Sequence, residues 1–367
     1  MTENIELIEM RAKLKQQLTA GVYKTIIEVI FDGTGRFIQK LTRQSKPSPA
    51  WTSALIIGLA TLALGLLISL LLGEFSTLRR EFIPLEISGV VIALTGWIGV
   101  RTYTRIINTT LEEHLLEAIE SATDLTDLQR WLISLSNLKH PLIFGVVYVI
   151  LLVPYGLGYL AVVRGGFVGY GALSMSIISF FFGGILVYFI FIFITLPVRL
   201  SRYHYKLYPA DPSSSEVVDR ISNLLTVLVY MVAAMAALST FLFALFGFGA
   251  LRSAVGIIPM IVVGWGPLTI IFLLNQYALS KIITEGKWIK LNEIQAQVAA
   301  IETVQNVADK DTMEAINRLM DYHDRIKGTR NSALNLRASL NFLNSLLLPL
   351  ITFILANLDQ ILAFFTS

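Results

Sequence analysis

From Trp51 to Gly73 the chain carries no charged residue. A run of about twenty residues is what an α-helix needs to cross a hydrocarbon core of roughly 30 Å. Five more apolar runs follow at 83–100, 141–163, 171–198, 222–248 and 253–275, and a seventh, 340–365, is apolar but seeded with polar residues. Backbone N–H and C=O groups in hydrocarbon find no water, so only a helix or a closed barrel satisfies them. The runs are continuous and do not alternate, which excludes the barrel. Composition agrees: 54% of the 367 residues are apolar and 15% charged, against roughly 45–50% and 25% in soluble domains. The expected fold class is all-α, a polytopic helical membrane protein with about seven transmembrane helices and cytoplasmic helical extensions. A soluble globular enzyme and a disordered chain are excluded.

Charge sets the orientation. Of the 29 Lys and Arg residues, 25 fall in the N-terminal segment, the 101–140 and 199–221 gaps and the 276–339 segment. The other three gaps hold only Arg79, Arg80, Arg164 and Arg252. Basic residues stay on the cytoplasmic side. The N-terminus is therefore expected in the cytoplasm and, with the seventh run spanning, the C-terminus outside, in a plasma membrane or a bacterial inner membrane. The layout is a cytoplasmic amphipathic N-terminal helix over 1–50 and a six-helix membrane domain over 51–275, with cytoplasmic helical loops at 101–140 and 199–221. A cytoplasmic helical segment covers 276–339 and a polar-striped C-terminal membrane helix 340–367.

Catalytic chemistry has little to build on. The absence of cysteine removes thiolate nucleophiles, thiolate metal sites and disulfides. A net charge of +3 is too small to argue for nucleic acid. His114, His140, His204 and His323 have no second histidine at ligand spacing, so neither a metal site nor a cofactor is expected. Ser174, Ser176 and Ser179 sit in an apolar run, where serines bond back to carbonyls or pack helices. No enzyme activity is expected.

The cytoplasmic segments read as helices. Leu7, Met10, Leu14, Leu18, Val22, Ile26 and Val29 recur at spacings of three and four, with Lys13, Lys15 and Lys24 off the stripe and a break at Gly33-Thr34-Gly35. Such a helix either lies on the anionic inner leaflet or packs on the other cytoplasmic helices. In 101–140, Thr110-x-x-Glu113 has the capping-box pattern, Asp124 can cap a second helix, and Leu125, Leu128, Trp131 and Leu132 give that helix an apolar face. Arg199, Arg202, Tyr203, Tyr205 and Lys206 form a basic–aromatic stretch expected to anchor in the lipid headgroups. Ser213-x-x-Glu216 can open the next helix. In 276–339, Leu291, Ile294, Val298, Ile301 and Val304 form one stripe and Met313, Ile316, Met320 and His323 a second, with a turn at Gly328-Thr329. These helices can pack within or between subunits, or bind a cytoplasmic partner.

Two Gly/Pro breaks, Pro154-Tyr155-Gly156-Leu157-Gly158 and Gly264-Trp265-Gly266-Pro267, are expected to be kinks or close helix contacts; the other reading is unwound helix exposing carbonyls to an ion. An offset of 168 aligns Gly96-Trp97 with Gly264-Trp265, and three hairpins share one plan. Any repeat would be parallel, so the inverted repeat of many secondary transporters is not visible.

The last run is different. Ser345, Thr352, Asp359 and Thr366 follow one another every seventh residue, and a heptad keeps them on nearly one face, drifting about 20° per repeat. Asn341, Asn344 and Gln360 broaden it, while Leu347, Leu350, Ile354 and Phe364 lie opposite. Polar groups against hydrocarbon cost free energy, so this face meets protein or water. It is either a seam between helices or the wall of an aqueous path. In the second case Asp359 contributes a ring of carboxylates that draws in cations. Pro349 leaves a re-entrant or surface helix as a third arrangement.

Thr352-Phe353, the five residues Ile354-Leu355-Ala356-Asn357-Leu358, and then Asp359-Gln360 carry a resemblance. Together with seven runs and a cytoplasmic N-terminus, they resemble the seven-transmembrane insect gustatory and odorant receptor-like ion channels. The last helix of that family carries Thr-Tyr, five mostly apolar residues and Gln-Phe. Thr352 matches, Phe353 replaces Tyr, Asp359 stands at the Gln position and Gln360 at the Phe position; the long 276–339 linker departs from the family. The resemblance implies a homo-tetramer in which the last helix surrounds one cation pore and cytoplasmic helices hold the subunits together. The expected function is a homo-oligomeric cation channel, with Asn341, Asn344, Ser345, Thr352, Asp359 and Gln360 lining the pore and membrane lipids as partners. A non-conducting membrane scaffold or sensor acting through its cytoplasmic helices is the alternative. A secondary transporter ranks third, because no mid-membrane acidic residue offers a coupling site.

Overall fold

The computed structural model describes residues 2–43, 49–73, 82–164, 170–245, 254–304, 310–330 and 351. They form eleven α-helices in this order. α1 is Thr2–Thr19, α2 Ile26–Thr42, α3 Ala50–Leu71 and α4 Phe82–Thr110. A π-helical turn, Leu111–Leu115, and the short α5, Leu116–Ala118, prolong α4. α6 is Ala122–Leu135, α7 Lys139–Arg164, α8 Tyr170–Leu200, α9 Glu216–Leu245, α10 Ala254–Val304 and α11 Lys310–Gly328. The run 340–365 lies outside the described residues except for Ile351, and with it the proposed pore residues Asn341, Asn344, Ser345, Thr352, Asp359 and Gln360.

Each of the six apolar runs is helical over nearly all of its described residues. Five segments are long and apolar enough to cross a membrane: Ala50–Leu71, Ile87–Ala118, Leu173–Leu200, Glu216–Leu242 and Gly266–Thr303. A sixth candidate joins Ala122–Leu135 to Lys139–Pro154 across a 51° bend, and its apolar part is α7. The described residues therefore hold five to six helices of membrane-spanning length, which fits a multi-pass membrane protein. The two Gly/Pro breaks do not unwind: Pro154 lies inside helical α7 and 264–267 inside helical α10.

α8 is the hub of the bundle, touching α3, α4, α6, α7 and α10, while α9 packs on α4 and α10. Small residues bring α7 and α8 together. A Cβ on Gly184 would lie 2.9 Å from the Gly145 Cα and 2.7 Å from the Tyr148 Cβ, so the two backbones meet where no side chain fits. Directional polar links join the helices inside the bundle. Trp97 Nε1 donates to the Phe182 carbonyl at 3.1 Å, and Asn275 Nδ2 to the Leu225 carbonyl at 3.0 Å. Aromatic pairs fill the remaining space, among them Trp97 with Phe182 and Tyr103 edge-on to Phe193.

At the polar end the N-terminal segment corrects the expectation. It is two helices, and the break is at 20–25, not at Gly33-Thr34-Gly35. Gly21 takes φ 64°, a conformation open to a residue without Cβ. Thr25 then restarts the chain: its hydroxyl accepts from the Glu28 N–H and the Glu28 carboxylate accepts from the Thr25 N–H, a complete capping box. Leu7, Leu14, Leu18 and Ile26 are buried, but Val22 and Val29 are exposed, because the break rotates the face. α1 packs on α5, α6 and the π turn, and α2 on α3 and α4. α6 buries Leu125, Leu128, Trp131, Leu132 and Leu135, as its spacing predicts.

Three caps also differ. Thr110 caps nothing, since the helix runs straight through it into the π turn. Asp124 accepts from the His204 N–H at 2.8 Å instead of capping α6. Ser213 lies in a short 3-10 turn, Pro212–Ser214, capped by Asp211, and α9 starts only at Glu216.

α10 has 51 residues, about 76 Å at 1.5 Å per residue. That is more than twice a hydrocarbon core; the helix stays in the main core as far as Ile283, and its C-terminal part beyond pairs antiparallel with α11. Leu291, Ile294 and Ile326 are the buried centre of this hairpin, while Val298 and Ile301 are half-buried. The α11 stripe is rotated from the expected one. Thr312, Ile316, His323 and Ile326 face inward, and Met313 and Met320 are exposed.

Candidate functional site

The ionisable side chains of the polar end are organised by a short strand contact. Residues 203–206 run extended and antiparallel to 118–120. The Glu120 N–H donates to the His204 carbonyl at 2.9 Å and the Lys206 N–H to the Ala118 carbonyl at 2.8 Å. An extended chain turns alternate side chains to opposite faces. Tyr203 and Tyr205 therefore point inward, 5% and 8% exposed, and His204 and Lys206 point out. The expected lipid anchor of Arg199, Arg202, Tyr203, Tyr205 and Lys206 is corrected here for both rings, which the protein itself covers. Arg199 is engaged too: its Nη1 lies 3.0 and 2.9 Å from the two oxygens of Asp127. Arg202 and Lys206 stay exposed.

Asp127 also accepts from the Tyr203 hydroxyl at 2.9 Å. Burial, and next the bond donated to Asp127, push that phenol well above its ordinary pKa. The Tyr205 phenol is likewise pushed up by burial, and its hydroxyl has no hydrogen-bond partner among the described residues. Asp127 and Asp124 thus tie the end of α8 to α6.

A second tie fastens α2 to α4. Asp32 lies 3.0 Å from Arg101 and 2.8 Å from Lys24, and the Arg101 guanidinium sits 5.5 Å from the Phe31 ring centre. Beside it, burial pushes the Glu28 carboxyl up against the opposing pull of its Thr25 bonds. A third tie closes the projecting hairpin. Lys287, 5% exposed, donates to the Lys327 and Thr329 carbonyls at 2.7 and 2.8 Å, placing a cation at the C-terminal end of α11, where helix dipoles favour one.

Between residues 203–212 and α10 lies a cleft of about 470 Å³, bordered by Tyr203, Tyr205, Tyr208, Glu120, Glu285 and Glu293, with His204, Lys206 and Lys290 at its edges. Gly286 shapes it: a Cβ there would lie 2.5 Å from Leu207 Cδ1. Next to Pro212, which lines the cleft, Asp211 accepts from the Ser213 hydroxyl at 2.6 Å and the Ser213 N–H at 3.1 Å. The hydroxyl bond above all holds its carboxyl below the usual range. Lys290 pairs with Glu293 at 2.7 Å and Lys281 with Glu285 at 3.5 Å, so much of the charge is matched within α10. The cleft offers aromatic and mixed polar walls for binding.

A smaller cleft of about 230 Å³ opens beside the π turn, bordered by Thr109, Thr110, Glu113, His114, Arg220 and Asn223. His114 lies 3.7 Å from both Glu113 and Glu216, and Arg220 lies 3.1 Å from Glu216. π turns recur at functional sites, and sequence spacing offered no signal for this one. Among the described residues no group of three or more His, Cys, Asp or Glu is placed to hold a metal ion.

Comparison with known protein families, with curated proteins and with solved structures gives no match.

Proposed function

We propose that this chain is the subunit of a homo-oligomeric cation channel in a plasma or bacterial inner membrane, with its N-terminus in the cytoplasm and its last helix lining the path. The observation that carries the reading is the polar heptad Ser345, Thr352, Asp359 and Thr366 inside an otherwise apolar run. A face of that kind is tolerated at membrane depth where it meets water or a neighbouring helix. The projecting α10–α11 hairpin directly precedes this run and supports assembly. Tied by Lys287, it leaves Trp288 and Ile289 exposed, Ile289 beside the cleft of residues 203–212, a surface that a second copy can cover.

Single-channel recording of the purified protein in planar bilayers tests the proposal. Cation-selective conductance is expected, with Asp359→Ala lowering cation over anion permeability. Absence of conductance, or unchanged selectivity in the variant, overturns it.

The same exposed Trp288 and Ile289 also favour a scaffold or sensor that binds a cytoplasmic partner through the arm. On that reading, deleting 285–335 abolishes capture of a cytoplasmic partner and leaves membrane insertion intact.

A further inference from the structure

Helix α2 carries one apolar stripe along its whole length, and the protein covers only half of it. At 100° per residue, Ile26, Ile27, Ile30, Phe31, Phe37, Ile38 and Leu41 fall within an arc of roughly 140°. Glu28, Asp32, Arg36 and Lys40 follow one another at i, i+4 on the other side. In the first half Ile26, Ile27 and Phe31 are buried. In the second half the stripe overhangs the bundle at Phe37 and Leu41, 62% and 75% exposed, with Ile38 between them half-buried.

The level of α2 is fixed by its partners. The Ser53 hydroxyl, in the first turn of α3, donates to the Phe31 carbonyl at 3.3 Å. Asp32 pairs with Arg101, the first charged residue after the apolar part of α4, and Phe31 lies against Trp97 with ring centres 6.3 Å apart. These contacts put α2 where the apolar runs begin. The overhang continues the outer surface of α3, where Trp51, Leu55 and Leu59 are exposed. Arg36, Lys40 and Arg43 border it and are exposed.

Resting on the multi-pass reading above, we propose that the C-terminal half of α2 lies in the lipid headgroup layer, with Phe37 and Leu41 inserted below the phosphates and Arg36, Lys40 and Arg43 paired with anionic headgroups. A helix with apolar residues on one side and Lys/Arg on the other is built for that plane. Descent into hydrocarbon would desolvate three cations, and a tilt into water would strand Phe37 and Leu41. α2, rather than α1, is then the interfacial element of the N-terminal segment.

The chain has no cysteine, so single nitroxide labels report one site each. Full-length Phe37→Cys, Leu41→Cys and Arg36→Cys, labelled and reconstituted in nanodiscs of phosphatidylcholine with or without phosphatidylglycerol, are compared by collision with oxygen and with a water-soluble nickel chelate. Labels at 37 and 41 are expected to favour oxygen and the label at 36 the chelate. Phosphatidylglycerol is expected to deepen the label at 41, and replacing Arg36, Lys40 and Arg43 by Gln to abolish that effect. Chelate dominance at 37 and 41 means water and overturns the proposal. Poor access to both reagents means a protein partner, such as a second copy, and overturns it as well. No lipid-charge effect overturns the anionic pairing. A label at Leu59→Cys separates the two readings: oxygen dominance there with chelate dominance at 41 defeats this proposal alone, and chelate dominance at 59 defeats the multi-pass reading.

Discussion

Replacing Lys287 by Met should open the projecting hairpin without unfolding the bundle. The ammonium makes two short bonds, to the Lys327 and Thr329 carbonyls, and hydrogen bonds to a charged group contribute about 1.5–3 kcal/mol each. Its position at the end of α11 adds about 0.3–1 kcal/mol through the helix dipole. Two effects reduce the total. Lys327 is exposed and Thr329 half-buried, so both carbonyls can recover water, and a buried ammonium that is removed no longer costs its own desolvation. Met keeps the packing of the Lys stem. The net loss is about 2 kcal/mol, close to a thirtyfold rise in the population of the detached hairpin.

Amide hydrogen exchange by mass spectrometry reads that population directly when closing is fast. Peptides covering 310–328 should exchange about thirtyfold faster in Lys287→Met, and peptides from α3, α4 and α8 should not change. Lys290→Met, which removes the pair with Glu293, should change exchange by less than about threefold, as surface pairs contribute roughly 0–1 kcal/mol. Unchanged protection in 310–328 would refute the reasoning, and so would equal loss across the whole chain.

Two further outcomes follow from the cap and the bundle. Burial raises the folded pKa of Glu28 above its unfolded value, so the stability this carboxyl contributes is present below the unfolded pKa, about 4.3, and is lost as pH rises through the folded one. Glu28→Gln keeps an acceptor for the Thr25 N–H without the titration, so in thermal melts in nanodiscs its advantage over the parent should grow as pH rises above about 4; a constant difference across pH would count against a buried carboxyl. Gly184→Ala should destabilise the α7–α8 pair by about 1–3 kcal/mol, whereas Gly183→Ala, whose Cβ would make an ordinary 3.8 Å contact with Tyr148, should have little effect. Equal melting temperatures for the two variants would mean that the helices are free to separate there.

What could be read from the sequence divides along the range of the interaction. The apolar runs and the α6 face were legible because hydrocarbon and a 3.6-residue period act on one segment at a time. The N-terminal break was misplaced for a local reason. The stripe keeps its spacing of four across 18–26, where the chain in fact leaves the helix at Gly21. The two glycines at 33 and 35 cost about 1 kcal/mol each and are carried by the capping box ahead of them and by the packing of Phe31. Tyr203 and Tyr205 were misread because a basic–aromatic stretch at the end of an apolar run has the composition of an interfacial belt. Only the partner backbone at 118–120, some eighty residues away in sequence, turns the alternation of Tyr, His, Tyr and Lys into an inward and an outward face. Lys287 is silent for the same reason, since its acceptors are carbonyls at the end of another helix.

The same distinction bears on the basic residues themselves. Their imbalance predicts orientation, and each also looks available to lipid when only the sequence is in view. The fold divides them. Arg101, Arg199 and Lys287 are held by Asp32, by Asp127 and by the end of α11, where they fasten α2, α6 and α11 to the long helices. Lys24, Lys281 and Lys290 are paired with Asp32, Glu285 and Glu293. A count of Lys and Arg therefore overstates the charge offered to headgroups. Lipid contact is better sought where exposed cations border exposed apolar side chains at the level of the first apolar run, and the second half of α2 meets that condition with Arg36, Lys40 and Arg43 beside Phe37 and Leu41. A lipid-charge effect that follows those three residues, and not Arg199 or Lys287, is what this division of labour requires.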